Sequence, residues 1–137
     1  MSDADVPDGF KPAEFSPGFL DHGGPYFLKP RAEAPMLVGL RICQHHINYQ
    51  DAVHGGVIST FADVALSHAV YDAERPRLSP STVTLNVNYL GGARLGDWLV
   101  ADVSLDRIGG RLAYTSGAIL PGDEVLATIT GVFAIKR

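Results

Sequence analysis

One stretch of this 137-residue chain groups the side chains and backbone amides needed to act on a carbonyl. Asn48 and His54 precede a glycine pair, Gly55 and Gly56, which opens an apolar run whose single carboxylate is Asp63. The first N–H groups of a helix lack intrahelical partners and carry partial positive charge, so they stabilise a developing oxyanion. Burying an unpaired carboxylate is costly. The combination indicates acyl transfer or hydrolysis.

The spacing of two of these residues constrains the quaternary structure. Asp63 follows Gly55 by eight residues, which is about 12 Å along a helix axis at a rise of 1.5 Å per residue. An aspartate side chain does not span that distance to one carbonyl carbon. If both groups act on one substrate they come from different subunits, so we expect a homodimer with a site at its two-fold interface. A homotetramer remains open.

The predicted elements form an α+β fold in which a sheet curls around one helix. Residues 1–24, rich in Pro, Gly and Asp, predict an irregular N-terminal arm that is a candidate cover for the pocket, and residues 25–137 predict one domain. The long helix, from Gly55 to about Glu74, is apolar nearly all round and therefore buried. Period-two patterns and turn residues predict short strands at 24–30 and 36–44 and longer ones at 82–90, 98–105, 112–120 and 125–135.

The first long strand is expected to place Val83 with Leu85, Val87 and Tyr89 on one face and Thr82 on the other. Before the helix, residues 45–54 predict a polar loop. The histidines at its start, His45 and His46, are expected to point in opposite directions, so we expect no metal site.

Composition excludes several classes of partner. The formal net charge of −4 arises within the first 21 residues, which hold five of the 15 acids and one of the 11 bases, so ten of each remain beyond them. No basic field favours nucleic acid. No apolar run approaches the roughly 20 residues of a membrane span. With one cysteine, Cys43, expected as a core thiol, and an acidic N-terminus, we predict a cytoplasmic protein.

The chain resembles the hotdog-fold acyl-CoA thioesterases, in the phenylacetyl-CoA thioesterase-like branch, over about residues 25–136. The shared motifs are Asn48, then His54-Gly55-Gly56, then Phe61-Ala62-Asp63-Val64-Ala65, the strand end Asn88-Tyr89-Leu90, and a basic-glycine turn, Arg107-Ile-Gly-Gly-Arg111. The resemblance implies an antiparallel sheet of five to six strands wrapped round one long central helix. It also implies an acyl-CoA substrate and no cofactor, because CoA is then part of the substrate.

The resemblance assigns catalytic roles that suit thioester chemistry, in which a thiol of pKa about 8.5 leaves readily. The Gly55 N–H binds the thioester oxygen, with Gly56 as the weaker candidate, and Asp63 is either general base or nucleophile. Asn48 orients the water or the carbonyl, or merely caps its loop. His54 contacts the thioester or holds the loop. Thr82 positions the water, or is present only because threonine favours strands.

The remaining candidates concern the CoA half of the substrate. Guanidinium groups bind phosphate well, so the arginines Arg94, Arg107 and Arg111 are candidates for the phosphates or the adenine, with Lys136 as a weaker one. The candidates for the pantetheine channel are the segment from Tyr89 to Ala93, which includes Leu90 and Gly91, together with Gly109 and Gly110.

Two other functions remain open at this level. The same scaffold serves a non-catalytic protein that binds acyl-CoA or a small aromatic ligand, because a fold does not determine function. The second alternative is that the chain is a related hotdog enzyme, an enoyl-CoA hydratase or dehydratase. The acyl group is also open between an aryl and a medium-chain pocket.

Overall fold

Seven strands form one antiparallel sheet in the order β1-β2-β3-β5-β6-β7-β4. The computed structural model describes residues 6–137. Its elements are β1 (Lys11–Pro12), α1 (Leu20–Gly23), β2 (Tyr26–Lys29), β3 (Leu37–Arg41), α2 (Gly55–Tyr71), β4 (Ser79–Tyr89), β5 (Trp98–Ile108), β6 (Leu112–Leu120) and β7 (Ala127–Lys136). The predicted α+β fold is confirmed, and the sheet has one strand more than the upper prediction.

Helix α2 is the centre of the core. Nearly half of its residues are buried, among them Phe61, Leu66 and Val70. It packs against β3 to β7, where inward-facing residues such as Leu99 and Phe133 are fully buried. Apolar residues around most of the helix need cover on most sides, and the curled sheet supplies it. The helix ends at Tyr71, about three residues earlier than predicted. No helix within residues 6–137 is long and apolar enough to span a membrane.

Strand β4 lies at an edge of the sheet and contains an irregularity that matters for the site. In the described part of the chain it pairs with β7 alone. The register shifts between Thr82 and Thr84, so Val83 is an additional residue, and its side chain is 59% exposed. The predicted face assignment is therefore wrong at the start of the strand. A bulge reverses the alternation, and Thr82 joins Leu85 in lining a groove beside α2.

The N-terminal arm is more ordered than predicted. Residues 1–5 lie outside the described residues. Beyond them, β1 pairs with β2, and the Ala13 N–H donates to the Tyr26 carbonyl at 2.9 Å. Strand β2 is thus an interior strand. Two residues of strand leave no signal in the sequence, because only the pairing with β2 defines them. The boundary between arm and domain at residue 24 stays a prediction.

The loop before α2 begins with a turn of 3-10 helix, Gln44–His46. Because this segment is not extended, His45 and His46 do not diverge as predicted, and their ring centroids lie 3.9 Å apart. Each Nε2 bonds a carbonyl at the end of α1 at 2.7 Å. His46 is fully buried, its Nδ1 accepts the Cys43 N–H, and burial lowers its pKa. Cys43 is only half-buried, so it is not the core thiol expected.

Candidate active site

Two of the first backbone N–H groups of α2 bond to the residue that precedes the helix. His54 is the N-cap residue, and its Nδ1 accepts the Gly56 N–H at 2.8 Å. The Val57 N–H donates to the His54 carbonyl at 2.9 Å. Within residues 6–137 the Gly55 N–H has no acceptor. The candidate oxyanion donor is therefore Gly55. The amide of Gly56, the weaker candidate from sequence, is already occupied.

This cap also defines what His54 can do. Because Nδ1 accepts a hydrogen bond, the neutral ring carries its proton on Nε2. That N–H has no protein partner in the described part of the chain, and the side chain is exposed. His54 therefore holds the start of the helix, as one of its two predicted roles required. Its Nε2 remains available for the other role, a contact with the thioester.

Asn48 closes the loop that leads into the helix. Its Oδ1 accepts the N–H groups of Gln50 at 2.8 Å and of Ala52 at 3.2 Å. Asp51, between them, has a positive φ of 61°, a conformation that Asp tolerates better than most residues. The carboxamide oxygen is thus used by the loop, as the capping interpretation predicts. The amide Nδ2 makes no bond within residues 6–137 and is the part of Asn48 left for a substrate.

Tyr89 joins the end of β4 to the start of α2. Its hydroxyl donates to the Gly55 carbonyl at 2.9 Å and makes a short hydrogen bond with the Ser59 hydroxyl. A Cβ added at Gly55 would lie 3.8 Å from the Tyr89 ring, which is ordinary van der Waals contact. Tyr89, predicted to line a pantetheine channel, therefore lies directly beside the free amide.

Asp63 lies eight residues beyond Gly55 on α2, opposite the start of β4. The Thr82 hydroxyl donates to Asp63 Oδ1 at 2.7 Å. The carboxylate is half-buried and accepts this hydrogen bond, so it does not incur the cost of an unpaired carboxylate buried in the core. Nor does it bond along the helix, since Ser59 contacts Tyr89 and Ser67 donates to a helix carbonyl. The bulge in β4 turns the exposed Thr82 side chain towards α2. Asp63 Oδ2 remains without a partner in the described residues.

A groove of about 790 Å³ opens beside this pair. Helix α2 forms its floor, β4 forms one wall, and the N-terminal arm forms the other, with the arm contributing Glu14, Phe15, Ser16, Phe19 and Leu20. The sequence analysis offers the arm as a candidate cover for the pocket, and five arm residues do line this groove. That the groove is the substrate pocket stays a prediction. The individual arm residues carried no sequence signal, because only the tertiary packing brings them to Asp63.

A second cavity, of about 580 Å³, lies at the β5–β6 hairpin and is lined by Arg107, Gly109, Gly110, Arg111, Leu112 and Tyr114. The guanidinium groups of Arg107 and Arg111 have no protein partner in residues 6–137. Arg137 braces the hairpin by donating to two turn carbonyls, at 2.8 and 3.0 Å, and by pairing with Glu74 at 3.0 Å. The predictions missed this support, since a C-terminal arginine has no motif around it.

Arg94 lies apart from the two hairpin arginines in a single chain. Its loop is tied to the start of α2, because the Val53 N–H donates to the Ala93 carbonyl at 2.9 Å. The hairpin is instead tied through Arg137 to Glu74, beyond the end of α2. Other predicted channel residues are exposed near Arg94, namely Leu90 and Gly91, whereas Lys136 is exposed beside the hairpin.

The chain therefore carries two incomplete half-sites along one helix. One consists of the free Gly55 amide with Tyr89, and the other of Asp63 with Thr82. Both lie on α2, so their eight-residue separation is a property of the folded protein.

Comparisons with known proteins identify the family. The family model described as the thioesterase superfamily matches residues 50–128. The chain belongs to the thioesterase superfamily. It is therefore a thioester hydrolase, and the predicted family is confirmed.

Individual relatives agree with this assignment. A protein of Pseudomonas aeruginosa that bears an esterase name is 38% identical over 128 residues, covering 93% of this chain and 96% of the relative. Human acyl-coenzyme A thioesterase 13 is 28% identical over 93 residues, covering 68% and 66%. A Streptococcus pneumoniae hypothetical thioesterase solved with coenzyme A has a TM-score of 0.74 at 19% identity, covering 81% and 88%. At that identity the likeness shows the shared hotdog fold.

Proposed function

We propose that this thioesterase hydrolyses acyl-CoA to a free acid and CoA at a site shared by two subunits. The observation that carries the proposal is the unpaired Gly55 amide at the start of the helix that also holds the Asp63–Thr82 pair. The name of the human relative and the coenzyme A in the Streptococcus pneumoniae structure support CoA as the thiol.

The open edge of β4 supports the two-subunit arrangement. In an antiparallel pairing of β4 with its copy, the start of one strand lies beside the end of the other. Thr82 contacts Asp63 near the start of β4, and Tyr89 contacts Gly55 at its end. Such a homodimer brings Asp63 towards Gly55 of the partner subunit. The same pairing covers the unpaired N–H and C=O groups of the edge, which otherwise invite aggregation.

The chemistry then divides between the subunits. The thioester oxygen accepts the N–H of Gly55 of the partner subunit, which stabilises the negative charge that develops on it. Asp63 Oδ2 takes a proton from water as the water oxygen bonds to the carbonyl carbon. The intermediate collapses by breaking the C–S bond, the thiolate of CoA leaves, and the proton on Asp63 returns to solvent or thiolate. Thr82 holds the other carboxylate oxygen.

Direct attack by Asp63 is the second route, through a mixed anhydride that water then cleaves. In both routes Asn48 Nδ2 and His54 Nε2, on the loop that leads into Gly55, are candidates to orient the carbonyl or the water, since within residues 6–137 neither has a hydrogen-bond partner. Both belong to the subunit that supplies the amide.

We assign the CoA phosphates to the basic hairpin, the turn between β5 and β6, where Arg107 and Arg111 line the second cavity. Within residues 6–137 their guanidinium groups have no protein partner. Lys136 adds charge beside them. The loop that carries Arg94 is hydrogen-bonded to the segment just before α2 of its own subunit. In the proposed homodimer the start of one α2 lies towards the end of the other, so Arg94 of the partner subunit approaches the basic hairpin. Gly91 and Gly110 have no atom within 4 Å of an added Cβ, so they leave room for the pantetheine chain.

A panel of acyl-CoA esters with thiol detection tests the function. The proposal expects the wild type to release CoA from at least one ester and the Asp63→Asn variant to release none. The control is Asp106→Asn, because Asp106 is an exposed carboxylate on β5; this variant should keep wild-type activity. If the purified protein binds the esters, as a thermal shift would show, yet releases no thiol, hydrolysis of acyl-CoA is excluded.

A further inference from the structure

The groove beside Asp63 is lined by two rings of the N-terminal arm. Phe15 and Phe19 face it from the arm, opposite Val64 on α2 and Leu85 on β4. The Asp63–Thr82 pair opens into the same space, so whatever is attached to a carbonyl held at Asp63 extends along these apolar walls. The volume of 790 Å³ corresponds to roughly 25 water molecules, far more than an acetyl group fills.

The part of the arm that lines the groove, residues 14–19, is fixed at both ends. Ahead of it, Ala13 continues the pairing of β1 by donating to Tyr26. Behind it, His45 and His46 each bond a carbonyl at the end of α1 at 2.7 Å. This segment is therefore a wall held in place by strand pairing and by two histidines.

The two phenylalanines differ in how much support they have. The Phe15 ring lies 6.1 Å from the Tyr26 ring and 6.2 Å from the His68 ring, within an aromatic cluster beside the helix. The Phe19 side chain is 71% exposed although it lines the groove. Covering an exposed apolar ring with an apolar group removes both surfaces from water, which favours binding of that group.

The charges facing the groove are of one sign. Its acidic and basic side chains are Glu14, Asp63 and His68. Burial is the largest influence on His68 and lowers its pKa, so the ring is neutral near pH 7. Among the described residues, Arg77 is close to His68 and lies over the Tyr71 ring at 5.4 Å, but it is not one of the lining residues. Two carboxylates on the lining therefore disfavour a negatively charged acyl group.

We infer that residues 14–19 form a wall of the acyl pocket and that Phe15 and Phe19 select large, neutral, apolar acyl groups, aryl or medium-chain. Acetyl groups are too small to cover the two rings, and the terminal carboxylate of a dicarboxylyl group is repelled by Glu14. This inference rests on the proposed acyl-CoA hydrolysis and names the substrate class for that site.

The test compares kcat/KM for acetyl-, octanoyl-, phenylacetyl- and glutaryl-CoA in the 137-residue protein and its variants. The wild type is expected to prefer octanoyl or phenylacetyl to acetyl by at least about tenfold. Phe19→Ala is expected to lower that preference about tenfold, and Phe19→Leu less, because leucine keeps apolar bulk. Glu14→Gln is expected to raise kcat/KM for glutaryl-CoA about threefold.

Phe10→Ala is the matched control, since Phe10 belongs to the same arm but packs 5.2 Å from the Trp98 ring, outside the groove. It is expected to leave the acyl preference unchanged. Melting temperatures and sedimentation of every variant separate selectivity from folding and assembly. A wild type that releases CoA equally from acetyl and octanoyl esters overturns the inference. A Phe19→Ala variant that keeps the acyl preference also overturns it, whether or not that variant weakens the dimer. Absence of CoA release from every ester overturns the proposed function itself.

Discussion

Thr82 donates a 2.7 Å hydrogen bond to Asp63 across the gap between β4 and α2. The contact depends on the bulge at Val83, which turns Thr82 to the same side as Leu85. Bulges commonly re-aim a side chain beside an active site. The hydroxyl holds one carboxylate oxygen and leaves the other towards the groove.

Removing this hydroxyl is expected to slow the reaction without unfolding the protein. A hydrogen bond to a charged group contributes about 1.5–3 kcal/mol, so Thr82→Val should lower kcat about tenfold or more. Thr82→Ser keeps the donor and should lose less. Steady-state kinetics at saturating acyl-CoA measures both. Equal losses in the two variants would mean that the methyl group, and not the hydroxyl, matters.

The free amide of Gly55 can be removed selectively. Gly55 is the first residue of α2, where proline is well accepted, and His54 ahead of it has the extended backbone that a following proline requires. Gly55→Pro should therefore fold and lose about 10²–10³ in kcat, the usual effect of one oxyanion donor. Gly55→Ala keeps the N–H and meets Tyr89 only at 3.8 Å, so it should lose much less. Similar activity in both variants would contradict the assigned role.

The basic hairpin should act on binding of CoA and hardly on the chemical step. Arg107→Gln with Arg111→Gln is expected to raise KM for acyl-CoA about tenfold while kcat changes little. An acyl-N-acetylcysteamine thioester, which lacks the phosphates and the adenine, should show no such rise. An equal rise for both substrates would place the two arginines outside the phosphate site.

The stability of the fold should depend on pH through His46. Burial lowers the pKa of His46 in the folded protein, whereas in the unfolded chain it titrates near pH 6.5. The unfolded state then binds more protons below that pH, so the free energy of unfolding should fall as pH drops from about 7.5 to 5.5. His46→Gln should reduce this slope, measured by urea denaturation. An unchanged slope would show that His46 does not contribute.

The features predicted well from sequence are those that depend on local rules. The start of α2 follows from the glycine pair, and the separation of Gly55 from Asp63 follows from helix rise. Features set by distant contacts were missed. The bulge at Val83 depends on pairing with β7, strand β1 depends on β2, and the approach of Phe19 to the groove depends on how the arm packs. Period-two patterns do not contain this information.

A mixed dimer tests the central claim most directly. Asp63→Asn and Gly55→Pro chains, each inactive as a homodimer, are co-expressed with different tags and the heterodimer is purified. If Gly55 and Asp63 act across subunits, one of its two sites is intact, and it should show about half of the wild-type activity. If both residues act within one subunit, neither site is intact. Activity no higher than that of the two parent homodimers would contradict the account.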